Sequence, residues 1–308
     1  MSAPQIRSIG PGFLEARGAD RIVHFSDVHG YATRFGEYLA RAGVWRMGEW
    51  LARPGTLLVV NGDLIDRGPQ SRQVVERVLE LRDDAPAHGV SVVVLRGNHE
   101  DLAIRFAGVV PDDAGQRRAI VRKMQRIAAG RFEDGEGEDE VGRFAANGGL
   151  STIESYGGLE EFMEGFSGGL GECFASLPYG LQVGNKFFTH TATANLRAEE
   201  FDAPPAERLH ELLWNRDFFS AGTVDPEHGE PMSKFLASIG ATDWIVGHTP
   251  LINIRRHELC GGRGLIAAAA NFIGARGGYL AIDRDRAWAE DGFWGRCPLD
   301  TVPPLDDV

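Results

Sequence analysis

The sequence predicts an α/β protein with a mainly parallel sheet, and three observations carry that prediction. Short apolar, β-rich runs recur at 21–25 (RIVHF), 56–60 (TLLVV) and 90–95 (VSVVVL). Helical patterns separate them, at 32–52 and at 71–82, the second with Val74, Val78 and Leu81 on one face. Each apolar run stops at polar residues, so the order reads strand–helix–strand, the pattern of βαβ units. The 308 residues give room for a sizeable core, and we read them as a single domain, 1–308.

The elements follow in order. The opening strand runs into Asp27-Val28-His29-Gly30, the second into Asn61-Gly62-Asp63, and the third into Arg96-Gly97-Asn98-His99-Glu100. Residues 101–165 read as a helical insertion. In it Ile120, Met124 and Ile127 share a side, with Arg117, Arg118, Arg122, Lys123 and Arg126 around them. An acidic, Gly-rich run at 133–140 (EDGEGEDE) reads as a mobile loop. Strand character returns at 181–190 (LQVGNKFFTH), where Gly184-Asn185 marks a hairpin turn, and at 244–250 (WIVGHTP). A closing hairpin is expected over 278–290, and a frayed tail over 303–308.

Bulk composition narrows the function. A formal charge of −12 argues against a surface that coats nucleic acid. No apolar run approaches the roughly 18–20 residues that cross a bilayer, so no membrane partner is expected. The first twenty residues lack the apolar stretch of a signal peptide. Cys173, Cys260 and Cys297 are far apart with no CxxC pairing, which fits a reducing cytoplasm.

The strand ends carry the chemistry. Asp27 and His29, then Asp63, then Asn98 and His99, then His190 and His248 all fall where an apolar run gives out. In open α/β sheets functional sites gather beyond the carboxyl ends of strands. Asp27 and His29 are two residues apart, so in an extended chain they would point the same way and could grip one ion. Carboxylates suit hard divalent ions, and imidazoles suit manganese, iron, cobalt or zinc. A lone strand-end histidine is most often a hydrogen-bonded structural residue. Five strand ends that all bear ligand types are hard to explain that way.

The ordered motifs SDVHG (26–30), NGDLIDRG (61–68), LRGNHE (95–100), FTHTA (188–192) and VGHTP (246–250) make the resemblance specific. Together they are similar to the motif set of the phosphoprotein phosphatase family of calcineurin-like metallophosphoesterases. Segments NGGLSTIESYG (147–157) and LLWNRDFF (212–219) resemble bacterial members, and CGGRG (260–264) resembles the Shewanella-like branch. The chain differs from the usual pattern in Ser26 before Asp27, Thr-Ala-Thr after His190, and IAAAANF at 266–272. The resemblance implies a central β-sandwich flanked by helices, with the 101–165 segment inserted. It also implies two divalent metal ions, manganese first and iron, zinc or cobalt otherwise. Asp27 and His29 would bind the first ion, Asp63 would bridge, and Asn98, His190 and His248 would complete the second site. His99 would be the general acid, held by Asp66, while Arg67 and Arg216 would clamp phosphoryl oxygens; Arg96 and Glu100 are read as structural.

Elementary chemistry is consistent with those roles. A water bridged between two cations ionises near neutral pH and can attack phosphorus in line. The departing alkoxide needs a proton, which an adjacent imidazole can supply, and a carboxylate on its other nitrogen fixes the tautomer. Arginine forks match phosphate oxygens. The expected activity is hydrolysis of phosphoserine or phosphothreonine on protein. A dinucleoside polyphosphate substrate of the diadenosine tetraphosphate type is the alternative, and a tyrosine phosphatase and a catalytically silent metal-binding regulator are lesser ones. The partner is thus a phosphorylated protein or a nucleotide. The basic helix of the insertion is expected to help recruit it, with the acidic loop competing for the same arginines.

Overall fold

The computed structural model describes residues 2–131, 135–220, 223–249, 254–268, 277–284, 286–291 and 295–299. Two sheets face each other. One has six strands in the order Gly295–Pro298, Ala287–Asp291, Gly278–Asp283, Arg21–Phe25, Thr56–Asn61 and Ser91–Leu95. The other has seven, in the order Gln5–Gly10, Phe13–Arg17, Gly180–Val183, Lys186–Thr189, Asp243–Val246, Gly264–Ala267 and Arg255–Glu258.

Alternation along the strands builds three apolar layers. Ile22, Leu57 and Val59 face Leu181, Phe188, Ile245 and Ile266 between the sheets. Their neighbours Val23, Phe25, Leu58 and Val60 point the other way, into a core shared with helices. That is the period of two expected when both faces of a sheet are covered. Phe187, Trp244 and Leu265 on the outer face of the second sheet pack with Leu212, Met232 and Phe235.

The helices are α1 (Ala32–Arg41), α2 (Ser71–Asp84), α3 (Asn98–Val109), α4 (Ala114–Ala128), α5 (Glu140–Ala146), α6 (Gly149–Tyr156), α7 (Leu159–Gly165), α8 (Gly171–Ser176), α9 (Ala206–Trp214) and α10 (Pro226–Ser238). The first eight serve the six-stranded sheet, and α9 and α10 supply the outer layer of the other. Among the described residues no helix is long and apolar enough to cross a membrane.

Topology gathers the strand ends. Arg21–Phe25, Thr56–Asn61 and Ser91–Leu95 run parallel, as do Lys186–Thr189 and Asp243–Val246, so their carboxyl ends can share one edge of the sandwich. The 181–190 hairpin forms as expected, with Gly184 at φ 52° between antiparallel strands.

The sheets are mixed rather than mainly parallel, because the outer strands join by hairpins: five neighbouring pairs are parallel and six antiparallel among the described residues. Two further expectations are corrected. The 32–52 helix stops at Arg41, and Trp45–Arg46 pairs with Glu49–Trp50 in a small hairpin. Gly43, Met47 and Gly48 take positive φ there, which no helix accommodates. Second, Asp27 and His29 are not extended. Their φ angles are 55° and 48°, so two left-handed residues, not strand alternation, aim both side chains. The strands Gln5–Gly10 and Phe13–Arg17 have no counterpart in the sequence reading. Residues 101–165 hold most of α3 and all of α4 through α7. Pro250, residues 269–272 of IAAAANF, Glu133 and Asp134 of the acidic run, Asp285 of the closing hairpin and the tail at 303–308 lie outside the described residues.

Candidate metal centre and active site

Three turns hold the first half of the site. After Arg21–Phe25 the chain hooks over the next strand end, with His29 N–H donating to Asp63 O at 2.8 Å and Gly30 N–H to Leu64 O at 2.8 Å. Glu100 ties the second turn to the third. Its carboxylate accepts from Asp63 N at 2.9 Å, Leu64 N at 2.8 Å and Gly97 N at 2.9 Å, and so also caps α3. A side chain at Gly97 would put a Cβ 2.3 Å from Asp63 Oδ1, so the close approach of these turns requires glycine there. Arg96 faces away, donating to Tyr179 Oη at 2.7 Å and to Ala175 O.

Asp63 sits at the centre. His29 Nε2 lies 3.6 Å from its Oδ2, His99 Nε2 lies 3.8 Å from Oδ2, and His190 Nε2 lies 3.4 Å from Oδ1. Asn98 Oδ1 is 2.9 Å from His190 Nε2 and 2.9 Å from His248 Nδ1. Asp27 Oδ1 is 3.9 Å from His29 Nε2, while its Oδ2 accepts from His248 N–H at 3.0 Å and from Ser26 Oγ. All six residues expected as ligands, Asp27, His29, Asp63, Asn98, His190 and His248, therefore converge, and all are buried.

The tautomers show what this cluster can hold. His29 Nδ1 faces Ile65 O at 3.1 Å, and His190 Nδ1 faces Asn61 O at 3.0 Å. A carbonyl only accepts, so each Nδ1 carries the hydrogen and each neutral ring turns its Nε2 lone pair inward. There the lone pairs meet carboxylate and amide oxygens. His29 Nε2 is buried with no hydrogen-bond partner among the described residues. Such a set of convergent acceptors requires positive charge between them, either protons or cations. Burial opposes charge on His190, but Asp63 outweighs burial and pushes the imidazole up to about 9. Conversely, burial works against ionised Asp63, yet His190, His99 and His29 hold it well below the usual carboxylate range. The residues fit divalent cations. His29, Asp63 and His99 form one candidate trio, and Asp63, His190 and His248 another, with Asp63 common to both. Asp27 borders the first trio, with its Oδ1 3.9 Å from His29 Nε2.

His99 Nδ1 lies 2.6 Å from Asp66 Oδ2, and its Nε2 faces Arg67 Nη2 at 3.3 Å. Burial works against its charge, but Asp63 and Asp66 outweigh burial and raise it above the ordinary histidine value. Arg216 is exposed and donates from Nε to His248 Nε2 at 3.0 Å. All four residues expected in catalytic roles thus border the same centre. The sequence reading missed Ser26, Ser71, Asn61 and Thr152. Asn61 directs His190 through its carbonyl, and its side chain donates to Thr189 O at 2.8 Å. Its position in NGD, just before the central aspartate, is the signal that could have singled it out.

A family model, the calcineurin-like phosphoesterases, matches residues 20–251. The chain belongs to that family, which is metal-dependent. In fold it is similar to a cold-active protein tyrosine phosphatase, with TM-score 0.62, 18% identity, and coverage of 96% of this chain and 83% of that one. A second structure of such an enzyme, from a psychrophilic Shewanella, gives TM-score 0.61 and 19% identity, covering 95% and 83% of the two chains. A serine/threonine phosphatase of Saccharomyces cerevisiae, similar to human phosphatase PP5, gives 0.52 and 16%, covering 89% and 77%. An uncharacterised protein of Schizosaccharomyces pombe is 40% identical over 77 residues, 24% of this chain, and the match spans 23% of that relative's length.

Proposed function

We propose that the protein is a two-metal phosphoester hydrolase that acts on phosphoserine or phosphothreonine in proteins. The observation that carries this reading is the central carboxylate of Asp63 with inward lone pairs on both sides and a buried His99–Asp66 dyad beside it. Asp27, His29 and Asp63 would hold one divalent cation, and Asp63, Asn98, His190 and His248 the other. Two such ions, manganese by preference and iron, zinc or cobalt as alternatives, would screen the phosphoryl charge and supply a nucleophile at neutral pH.

The chain's own residues do the rest. Arg67 and Arg216 bind the phosphoryl oxygens from the exposed side. His248 offers its Nδ1 lone pair only if the ring hydrogen sits on Nε2, and that tautomer no longer accepts from Arg216. Ligation at His248 and release of the Arg216 guanidinium toward phosphate are therefore linked. With phosphate bound, Arg67 turns away from His99 Nε2, to which it can only donate, and His99 delivers a proton from Nε2 to the departing oxygen, while Asp66 keeps the other nitrogen protonated and the ring in plane. A built acid supports an alkyl leaving group, because a phenolate departs with far less help. The likeness to tyrosine phosphatases is one of fold and does not choose the substrate.

The test is a turnover panel with Mn²⁺: phosphoserine, phosphothreonine and phosphotyrosine peptides, diadenosine tetraphosphate and p-nitrophenyl phosphate. The reading expects the highest kcat/KM on phosphoserine or phosphothreonine. A dominant rate on the dinucleotide or on phosphotyrosine would replace it.

A further inference from the structure

The segment Asn147–Thr152 (NGGLST), at the start of α6 in the insertion, has no role in the chemistry above. Yet it touches the two residues that follow the central turn. Asp66 and Arg67 both adopt left-handed backbone, φ 72° and 66°, which side-chain-bearing residues hold only under restraint. Arg67 N–H donates to Gly148 O at 3.3 Å. Gly148 is itself at φ 96°, and a Cβ there would come 2.8 Å from Arg67 N.

Thr152 is fully buried, and its hydroxyl closes a small circuit around Asp66. Oγ1 donates to Asp66 Oδ1 at 2.6 Å, accepts from Asp66 N–H at 2.9 Å, and lies 3.0 Å from Ser71 Oγ. A hydroxyl has one hydrogen, and the carboxylate takes it, so Ser71 is the donor in that third bond. Ser71 Oγ in turn shares the Asp66 N–H at 3.1 Å. The two oxygens of Asp66 are thus held from opposite sides, Oδ1 by Thr152 and Oδ2 by His99. Two bonds on different oxygens fix the rotation of a carboxylate that one bond would leave free.

We infer that Thr152 is a positioning residue that, with the Gly148 carbonyl, braces the Asp66–Arg67 turn, and that the helical insertion sets the geometry of the proton-donating dyad. The inference rests on the reading of His99 as proton donor. It assigns the insertion a function at the reaction centre, independent of any role as a cover.

The experiment measures kcat and KM with Mn²⁺ on a phosphoserine peptide and on p-nitrophenyl phosphate, for wild type, Thr152→Val, Thr152→Ser, His99→Asn and the Thr152→Val/His99→Asn double variant. Valine keeps the shape and removes the hydroxyl. Thr152→Val is expected to lower kcat on the peptide by about 10- to 100-fold, the cost of losing an orienting partner, and on the aryl phosphate by less than about threefold. KM and metal content stay near wild type, Thr152→Ser restores the peptide rate, and Thr152→Val adds nothing in the His99→Asn background. If His99→Asn discriminates between the substrates but Thr152→Val loses equally on both, or serine fails to rescue, the brace is wrong and the dyad stands. If His99→Asn itself shows no discrimination, the proton-donor reading falls and the inference falls with it. Should Thr152→Val not fold, Ser71→Ala removes the donor to Thr152 and carries the same selective expectation and the same refutation.

Discussion

His24 lies at the middle of the Arg21–Phe25 strand, three residues before Asp27, and points between the two sheets. It pairs in register with Val59 and Leu280, and its ring sits 5.6 Å from that of Phe188. It is fully buried, and neither ring nitrogen has a hydrogen-bond partner among the described residues. Burial alone lowers its pKa from 6.5 to about 3. The folded value is depressed, so the unfolded chain takes up a proton first as pH falls, and stability is lost below about 6.5. Each pH unit inside the window removes about 1.4 kcal/mol, which makes the loss about 2 kcal/mol at pH 5. That figure does not depend on where the folded value lies, provided it is well below pH 5. His24→Leu fills a similar volume with apolar atoms and removes the group. Urea unfolding of both proteins at pH 7 and pH 5 is the assay. Other histidines titrate in both proteins, so their effect cancels in the difference. The variant is expected to be at least as stable as wild type at pH 7 and to gain on it by about 2 kcal/mol at pH 5. Parallel pH dependences would refute the reasoning and imply that His24 has a partner.

Other outcomes follow from the site and its surroundings. Chelation should abolish hydrolysis and Mn²⁺ restore it, with metal analysis approaching two ions per chain; full activity after exhaustive chelation would sink the two-metal reading. Asp63→Asn should depress binding of both ions together, measured by metal titration, because one carboxylate lies between both trios. Asp243 is buried between Lys186 Nζ at 2.7 Å and Arg256 Nε at 2.6 Å. Removing it as Asp243→Ala should cost about 3–5 kcal/mol in urea unfolding, since the buried side chains of Lys186 and Arg256 share its carboxylate. On α4, Asp139 engages Lys123, Glu136 engages Arg126, and Glu160 engages Arg117, whereas Arg118 and Arg122 are exposed. Arg118→Glu with Arg122→Glu should raise KM for a phosphoprotein but not for a small aryl phosphate, with an effect that shrinks at high salt; unchanged KM on large substrates at low salt would leave α4 a structural role only.

The residue types of this site are legible in the sequence because its candidate ligands fall at strand ends, where apolar runs break. Val23 and Phe25, or Val59 and Val60, announce a strand, and Asp27, Asp63 and His248 stand out against it. The aim of those side chains is not legible. Alternation predicts that Asp27 and His29 share a face because they are two apart, whereas the observed left-handed turns reach convergence by another route. Long-range partners are equally silent. Ser71 and Thr152 look like ordinary helix-start and mid-helix residues, and only the packing of α6 on α2 brings them to Asp66, 86 residues from Thr152 in the chain. The end of α1 is not legible because Trp45, Trp50 and Leu51 continue an apolar pattern. The positive φ at Gly43, Met47 and Gly48 converts that pattern into a hairpin.

The backbone itself marks where function outweighs local preference. Among the described residues seven that are not glycine have positive φ: Asp27, His29, Met47, Asp63, Asp66, Arg67 and His248. Six of these are candidate ligands, the partner of the proposed acid or a proposed phosphate clamp. Each such residue costs about 1–2 kcal/mol relative to a right-handed or extended one. Glycine would remove that cost at every position, but glycine has nothing with which to bind a cation, orient an imidazole or hold a phosphate. The side chain is therefore needed at the very point where the chain must turn sharply off a strand. The strain persists because the neighbouring structure leaves no alternative. Parallel strands fix the approach of each turn, Glu100 pins two of them with three N–H bonds, and Thr152 and Gly148 close over a third. Strain distributed in this way is rigidity delivered to the reacting groups. It keeps inward lone pairs around Asp63 that would otherwise drift apart to find water, and it makes the site ready for positive charge before any arrives.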